Sequence, residues 1–169
     1  MTTEQRLENL REHGYLRWRD FISMPDGSGK WITGDGVFGL RMGKGLPKAE
    51  GRIELLPYMT KEFDKAANTK IGCPIKLPSI SYLKRLIGSD DRTWKVCWIS
   101  DFDMFFNPFL LLEMLKILPG AQAYAYITKA RDKTDPYYAL YLKSEKGEGI
   151  LMPIDYRMAH RYGGKERKA

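Results

Sequence analysis

Cysteine and histidine are scarce: Cys73, Cys97, His13 and His160 are the whole supply in 169 residues. Ligands so few and so widely spaced exclude the Cys and His patterns of a structural zinc site, and the two thiols are expected to be reduced and buried. No Ser/His/Asp or Cys/His nucleophile set can be assembled, because both histidines lie in the terminal regions and nothing marks either cysteine as activated. The chain also lacks a Gly-rich phosphate loop, a signal-peptide pattern, a low-complexity tract and any apolar run long enough to cross a bilayer. A cytoplasmic protein with no cofactor, no metal and no membrane partner is the resulting expectation.

What is abundant is basic charge at one end. The formal charge is +7, and in residues 157–169 the five cations Arg157, Arg161, Lys165, Arg167 and Lys168 stand against Glu166, so that this tail holds +4 of it. A terminal run of this kind holds phosphates by counterion release, or else is a solvated end. The length fits one domain with its own core. The division expected is therefore a single domain over 1–156, with a long connection at 43–73, and a basic tail over 157–169.

The stretch Phe105 to Gly120 organises the rest. Asn107 is a good N-cap, since its side chain accepts from an orphan amide, and Pro108 suits the first helical position, where no donor is needed. Pro119-Gly120 stops the helix after about three turns, roughly 16 Å. Leu111, Leu112, Leu115 and Leu118 make a stripe, and Phe109, Leu110, Met114 and Ile117 leave only Glu113 and Lys116 to face water. So narrow a polar face predicts burial on more than one side.

Elsewhere the periodicity predicts a weakly packed amphipathic helix over Thr3 to Glu12 and a hairpin of Tyr15 to Met24 with Lys30 to Thr33 around Pro25-Asp26-Gly27-Ser28-Gly29. A tight Gly34-Asp35-Gly36 corner leads into an extended run to Met42. The 43–73 connection carries a strand at Arg52 to Leu56 and a helical turn around Thr60 to Ala67. A helix follows over Ser79 to Ile87, then a strand at Thr93 to Ser100. After the organising helix come strands at Ala121 to Thr128, with Tyr124 and Tyr126 on one face, at Tyr137 to Ser144 and at Gly149 to Ile154, the last two joined by a turn at Glu145-Lys146-Gly147-Glu148. This order predicts an α+β fold with helices on one face of a largely antiparallel sheet.

Phe106-Asn107-Pro108 with Leu111, Leu112, Leu115, Lys116 and Leu118, followed by Tyr138 to Leu142, a charged turn and Ile150-Leu151-Met152-Pro153-Ile154, resembles the last helix and closing hairpin of the bacterial DNA sliding clamp. Lys30 to Leu40 is similar to the strand that ends in Thr-Asp-Gly in that family, although the order here is Thr33-Gly34-Asp35-Gly36 and Phe38 stands near the place of the family's arginine. The resemblance covers Phe105 to Ile154 and is thin outside it. It implies a single processivity-clamp-like domain, not an enzyme, that contacts DNA without sequence preference through Lys84, Arg85 and Lys116 and the basic tail. It further implies a cleft for a replication protein or docking peptide, with Met152, Pro153 and Ile154 as one wall and Gly36 and Phe38 as the other. The bacterial subunit repeats this domain, so a ring built from this chain would be a homo-oligomer.

Other readings of the same residues stand beside this one. Met152 to Ile154 also suits a buried edge strand, where proline is tolerated. A phage or mobile-element inhibitor or adaptor that presents one clamp-like surface to a host replication or defence protein would suit the tryptophans Trp18, Trp31, Trp94 and Trp98. Asp101-Phe102-Asp103, delivered by the apolar run Trp98-Ile99, would suit a metal-dependent transferase or phosphate enzyme, because alternate residues of an extended segment share a face and two carboxylates could meet one Mg²⁺ or Mn²⁺. The same pair also suits a turn ahead of a helix, favoured by its N-terminal dipole.

Overall fold

The computed structural model describes residues 1–13, 23–34, 37–46, 56–88, 95–128 and 138–154. Its elements run α1 (Thr3–Glu12), β1 (Met24–Pro25), β2 (Trp31–Gly34), β3 (Phe38–Met42), α2 (Leu56–Thr69), α3 (Ile80–Gly88), β4 (Cys97–Ile99), a 3₁₀ turn (Ser100–Phe102), β5 (Met104–Phe106), α4 (Pro108–Ile117), β6 (Gln122–Ile127), β7 (Tyr138–Ser144) and β8 (Gly147–Leu151). Among the described residues the main sheet has the order β1-β2-β3-β8-β7-β6, and β4 and β5 form a separate ribbon. Every pairing is antiparallel. The fold is α+β.

The helix ends follow from their capping residues. Asn107 Oδ1 accepts from the amides of Phe109 at 2.9 Å and Leu110 at 3.3 Å, and Pro108 opens α4. Such a cap contributes about 1 kcal/mol relative to alanine. Beyond α4, Gly120 sits at φ +72°, a left-handed conformation that turns the chain toward β6 at little cost. The Ser79 hydroxyl accepts from the Tyr82 amide at the start of α3, and Thr2 with Gln5 forms a reciprocal capping box on α1.

Strand alternation sorts the side chains of the sheet onto two faces. Phe38, Leu40, Met42, Ala123, Ala125, Leu140, Leu142 and Leu151 share one core with Leu7 and Leu10 of α1, Leu83 and Leu86 of α3, and Leu110, Leu111, Met114 and Ile117 of α4. On the opposite face Ile32, Tyr126, Ala139, Tyr141 and Ile150 pack with Met59, Phe63 and Ala66 of α2. Tyr124 and Tyr126 share that second face, as alternation predicts. The expectation of helices on one face therefore describes α1, α3 and α4, while α2 closes the other side. Helices α4 and α2 each approach the sheet over a glycine. A Cβ at Gly149 would lie 2.7 Å from Met114 Sδ, and one at Gly39 would run into the Met59 methyl.

Several local expectations change. Glu113 does not face water: α1 covers it, and its carboxylate meets Arg6 at 3.2 Å and Lys116 at 3.5 Å. By the same contact α1 is well packed, with Leu7 and Leu10 buried. The helical turn near Thr60 is a full helix, α2, and Leu56 starts it instead of ending a strand; residues 52–55 lie outside the described residues. Strand β5 was not foreseen. The turn after β7 uses only Glu145 and Lys146, so Gly147 and Glu148 belong to β8. Of the expected hairpin, residues 15–22 lie outside the described residues, and Pro25 is in β1. In the strand expected at Thr93 to Ser100, Cys97–Ile99 is extended, residues 93 and 94 lie outside the described residues, and Ser100 begins the 3₁₀ turn. Cys97 is buried, but Cys73 is exposed. The segment after α2 also gains a role, since the amides of Ile71 and Ile75 donate to the carbonyls of Ala125 and Ala123 along β6.

Candidate functional site

The two stretches that carry the clamp resemblance meet in space. α4 lies against β8 at Gly149, and Ile154 forms an antiparallel bridge with Phe105, its amide donating to the Phe105 carbonyl at 2.7 Å. Two residues earlier the Met152 amide donates to the Val37 carbonyl at 2.8 Å. The Met-Pro segment thus ties the main sheet to the β4–β5 ribbon, and Pro153, which has no amide hydrogen, sits between the two bonds. The side chains diverge: Met152 packs on the α2-face core, while Ile154 packs with Val96, Phe105 and Trp98, whose ring stacks on Phe105 with centroids 6.3 Å apart. Met152, Pro153 and Ile154 are all partly exposed. Phe38 is not a groove wall, because its ring is fully enclosed in the core beneath α4. Gly36 lies outside the described residues.

Of the expected phosphate contacts, Lys84 and Arg85 are exposed on α3 while Leu83 and Leu86 anchor its inner side. Lys116 is different, since it is one-quarter exposed and pairs with Glu113, so its charge is partly neutralised. Arg157, Arg161, Lys165, Arg167 and Lys168 lie outside the described residues.

Asp101 and Asp103 do not sit two apart on an extended strand. Asp101 is exposed within the 3₁₀ turn, and Asp103 follows in the left-handed conformation at φ +50°, its carboxylate accepting from Trp98 Nε1 at 2.9 Å. The same-face geometry expected for a shared metal ion is therefore absent. Among the described residues no group of three or more His, Cys, Asp or Glu side chains is placed to hold a metal ion. Strand β5 also separates the pair from α4, so the dipole explanation for the two aspartates does not apply. Burial pushes the Cys97 thiol up to about 12, which makes it unreactive at neutral pH.

At one end of the main sheet the structure assembles a site that sequence reasoning missed. A cavity of about 870 Å³ opens between the Gly43-Lys44-Gly45 corner after β3 and the β7–β8 turn, with Lys30, Arg41, Lys143, Lys146 and Glu148 among its lining. Arg41 holds Glu148 with two hydrogen bonds, 2.8 and 2.9 Å, and Asp64 of α2 with a third of 2.8 Å. Tyr141 donates to Glu148 at 2.5 Å, and Lys30 Nζ lies 3.5 Å from it. Burial pushes the Glu148 carboxyl up, but the Arg41 and Tyr141 hydrogen bonds and the charges of Arg41 and Lys30 outweigh it and hold the group below the ordinary glutamate value. Gly147 makes this packing possible, since a Cβ there would lie 2.5 Å from the Arg41 carbonyl oxygen. The sequence signal was weak: a lysine between two glycines, and one lysine before and one within a short turn.

No described helix is long and apolar enough to cross a membrane. In comparison with known proteins, the chain matches no family model, no curated protein and no solved structure.

Proposed function

We propose that this chain is a non-enzymatic, cytoplasmic binding protein of the sliding-clamp type. It acts in DNA replication by holding DNA without sequence preference and by docking a replication protein or its peptide at the Met-Pro segment. The observation that supports the reading is the junction just described, in which α4 seats on Gly149 of β8 and Ile154 bridges to Phe105. Contact between the two resembling stretches is what a clamp-type layer requires, and it supports the reading. The exposed Lys84 and Arg85 of α3 supply unspecific phosphate contact, and the partly exposed Met152 and Pro153 supply an apolar foothold for a partner.

Light scattering with and without a duplex tests the assembly. The expected result is a ring-sized homo-oligomer, and a strict monomer under both conditions removes encirclement. Lys84→Glu with Arg85→Glu should weaken duplex binding and flatten its salt dependence, the slope of log K against log salt falling by about 0.9 per lost phosphate contact. An unchanged slope moves the contact away from α3. Met152→Asp should abolish capture of a docking peptide with aliphatic and aromatic anchors without disturbing the far-UV spectrum. Retained capture removes the Met-Pro foothold.

A further inference from the structure

We propose that the cavity at the sheet end is a second, separate binding site, which takes a chain of phosphates. Its volume lies in the range of ligand pockets, roughly 300–1,000 Å³. Lys44, Lys143 and Lys146 are exposed around it, and among the described residues no carboxylate lies within ion-pair distance of any of them. Two acids share the lining: Glu148 is buried and already held by Arg41, Tyr141 and Lys30, and Glu145 is exposed, so the five cations Lys30, Arg41, Lys44, Lys143 and Lys146 leave the lining net positive. Lys44 comes from the corner after β3, Lys143 from the end of β7 and Lys146 from the β7–β8 turn, and these segments are held together by the β3–β8 and β7–β8 ladders, which pair Arg41 and Lys143 with Glu148 and Met42 with Gly147. Such an arrangement gathers cations from three separate, ladder-held segments around one cavity, and that suits an anion with several charged centres. None of the described lining residues is aromatic, so a nucleobase finds no stacking surface. The recognition falls on phosphate oxygens, as in free polyphosphate or the backbone of a nucleic-acid strand. The inference does not depend on the clamp-type reading, because neither a ring nor a duplex enters it.

Calorimetry at low salt tests it with two probes, inorganic tripolyphosphate and a thymidine oligonucleotide of about twenty nucleotides. The variant Lys44→Gln/Lys143→Gln/Lys146→Gln removes three cations from the site, and Lys61→Gln/Lys65→Gln/Lys76→Gln removes the same charge elsewhere. Thermal melts of both variants should overlay the parent, since these are surface positions. The expected result is binding of at least one probe that weakens about tenfold or more in the first variant and little in the second. Loss of both probes in the first variant, with tripolyphosphate competing against the oligonucleotide, assigns a nucleic-acid backbone. Loss of tripolyphosphate alone assigns free polyphosphate. No binding of either probe to the parent, or equal weakening in the two variants, overturns the proposal. Lys84→Glu with Arg85→Glu should leave tripolyphosphate binding in place, so a failure of the α3 contact and a failure of this site are told apart.

Discussion

The face of the sheet under α4 and the face under α2 differ in what holds them. Beneath α1, α3 and α4 the contacts are leucines, methionines and phenylalanines, with Arg6, Glu113 and Lys116 pairing only at the rim. Beneath α2 the apolar patch is smaller and is flanked by two buried polar groups. Glu62 accepts from Tyr126 at 2.8 Å and Thr128 at 3.0 Å, and Glu148 is held as described above. Burial and the neighbouring Glu62 push the Tyr126 hydroxyl far above its ordinary range, so it stays a donor. The first face depends on area removed from water and on close packing, whereas the second depends on partners being present, because an unsatisfied buried group costs more than its bond contributes.

The largest expected effect is on the apolar face. Leu111→Ala empties part of a fully buried site and should lower stability by about 2–5 kcal/mol in urea unfolding. A loss below about 1 kcal/mol would mean that α4 is not the anchor described. On the polar face, Glu62→Leu alone strands two hydroxyls and should cost about 1–3 kcal/mol, while adding Tyr126→Phe and Thr128→Val should recover most of it. If the triple variant is no better than the single one, the asymmetry between the faces is wrong.

A gentler perturbation is acid. Glu148 has a depressed folded-state value, so the stability it contributes is complete above about 4.3, its ordinary unfolded value, and is lost as the pH falls through the lower folded value. Glu148→Gln should flatten that part of the stability profile, and an unchanged profile would assign the acid sensitivity elsewhere. The smallest effect is chemical. Cys73 should react with a thiol reagent in the native state, and Cys97 only after unfolding, which native-state labelling followed by mass mapping reads directly.

The apolar face was largely legible in the sequence. Asn107-Pro108 and Pro119-Gly120 punctuate α4, and period-two alternation marks β6 and β7, because capping and amphipathicity act between near neighbours. The α2 face was not. Arg41 and Glu148 are 107 residues apart, as are Arg6 and Glu113, and no local pattern announces such partners. For that reason Glu113 read as a solvated residue, and the lysines of the sheet end fell in three unrelated places, Lys44 in the long connection, Lys143 in a strand and Lys146 in a turn. β5 was missed because Met104–Phe106 is short and directly abuts the α4 cap. The bridge from Ile154 to Phe105 joins residues far apart in the chain and carries no periodic signal either.

β8, the last described strand in the chain, lies between β3 and β7 in the sheet. During synthesis the early β1–β3 ladder and the later β6–β7 pair are therefore two fragments with open edges until residues 147–151 leave the ribosome and fill the gap. The β3 edge waits for its partner while about a hundred further residues are made, which makes the closing strand the step at which a chaperone, or a competing copy, has the most to gain.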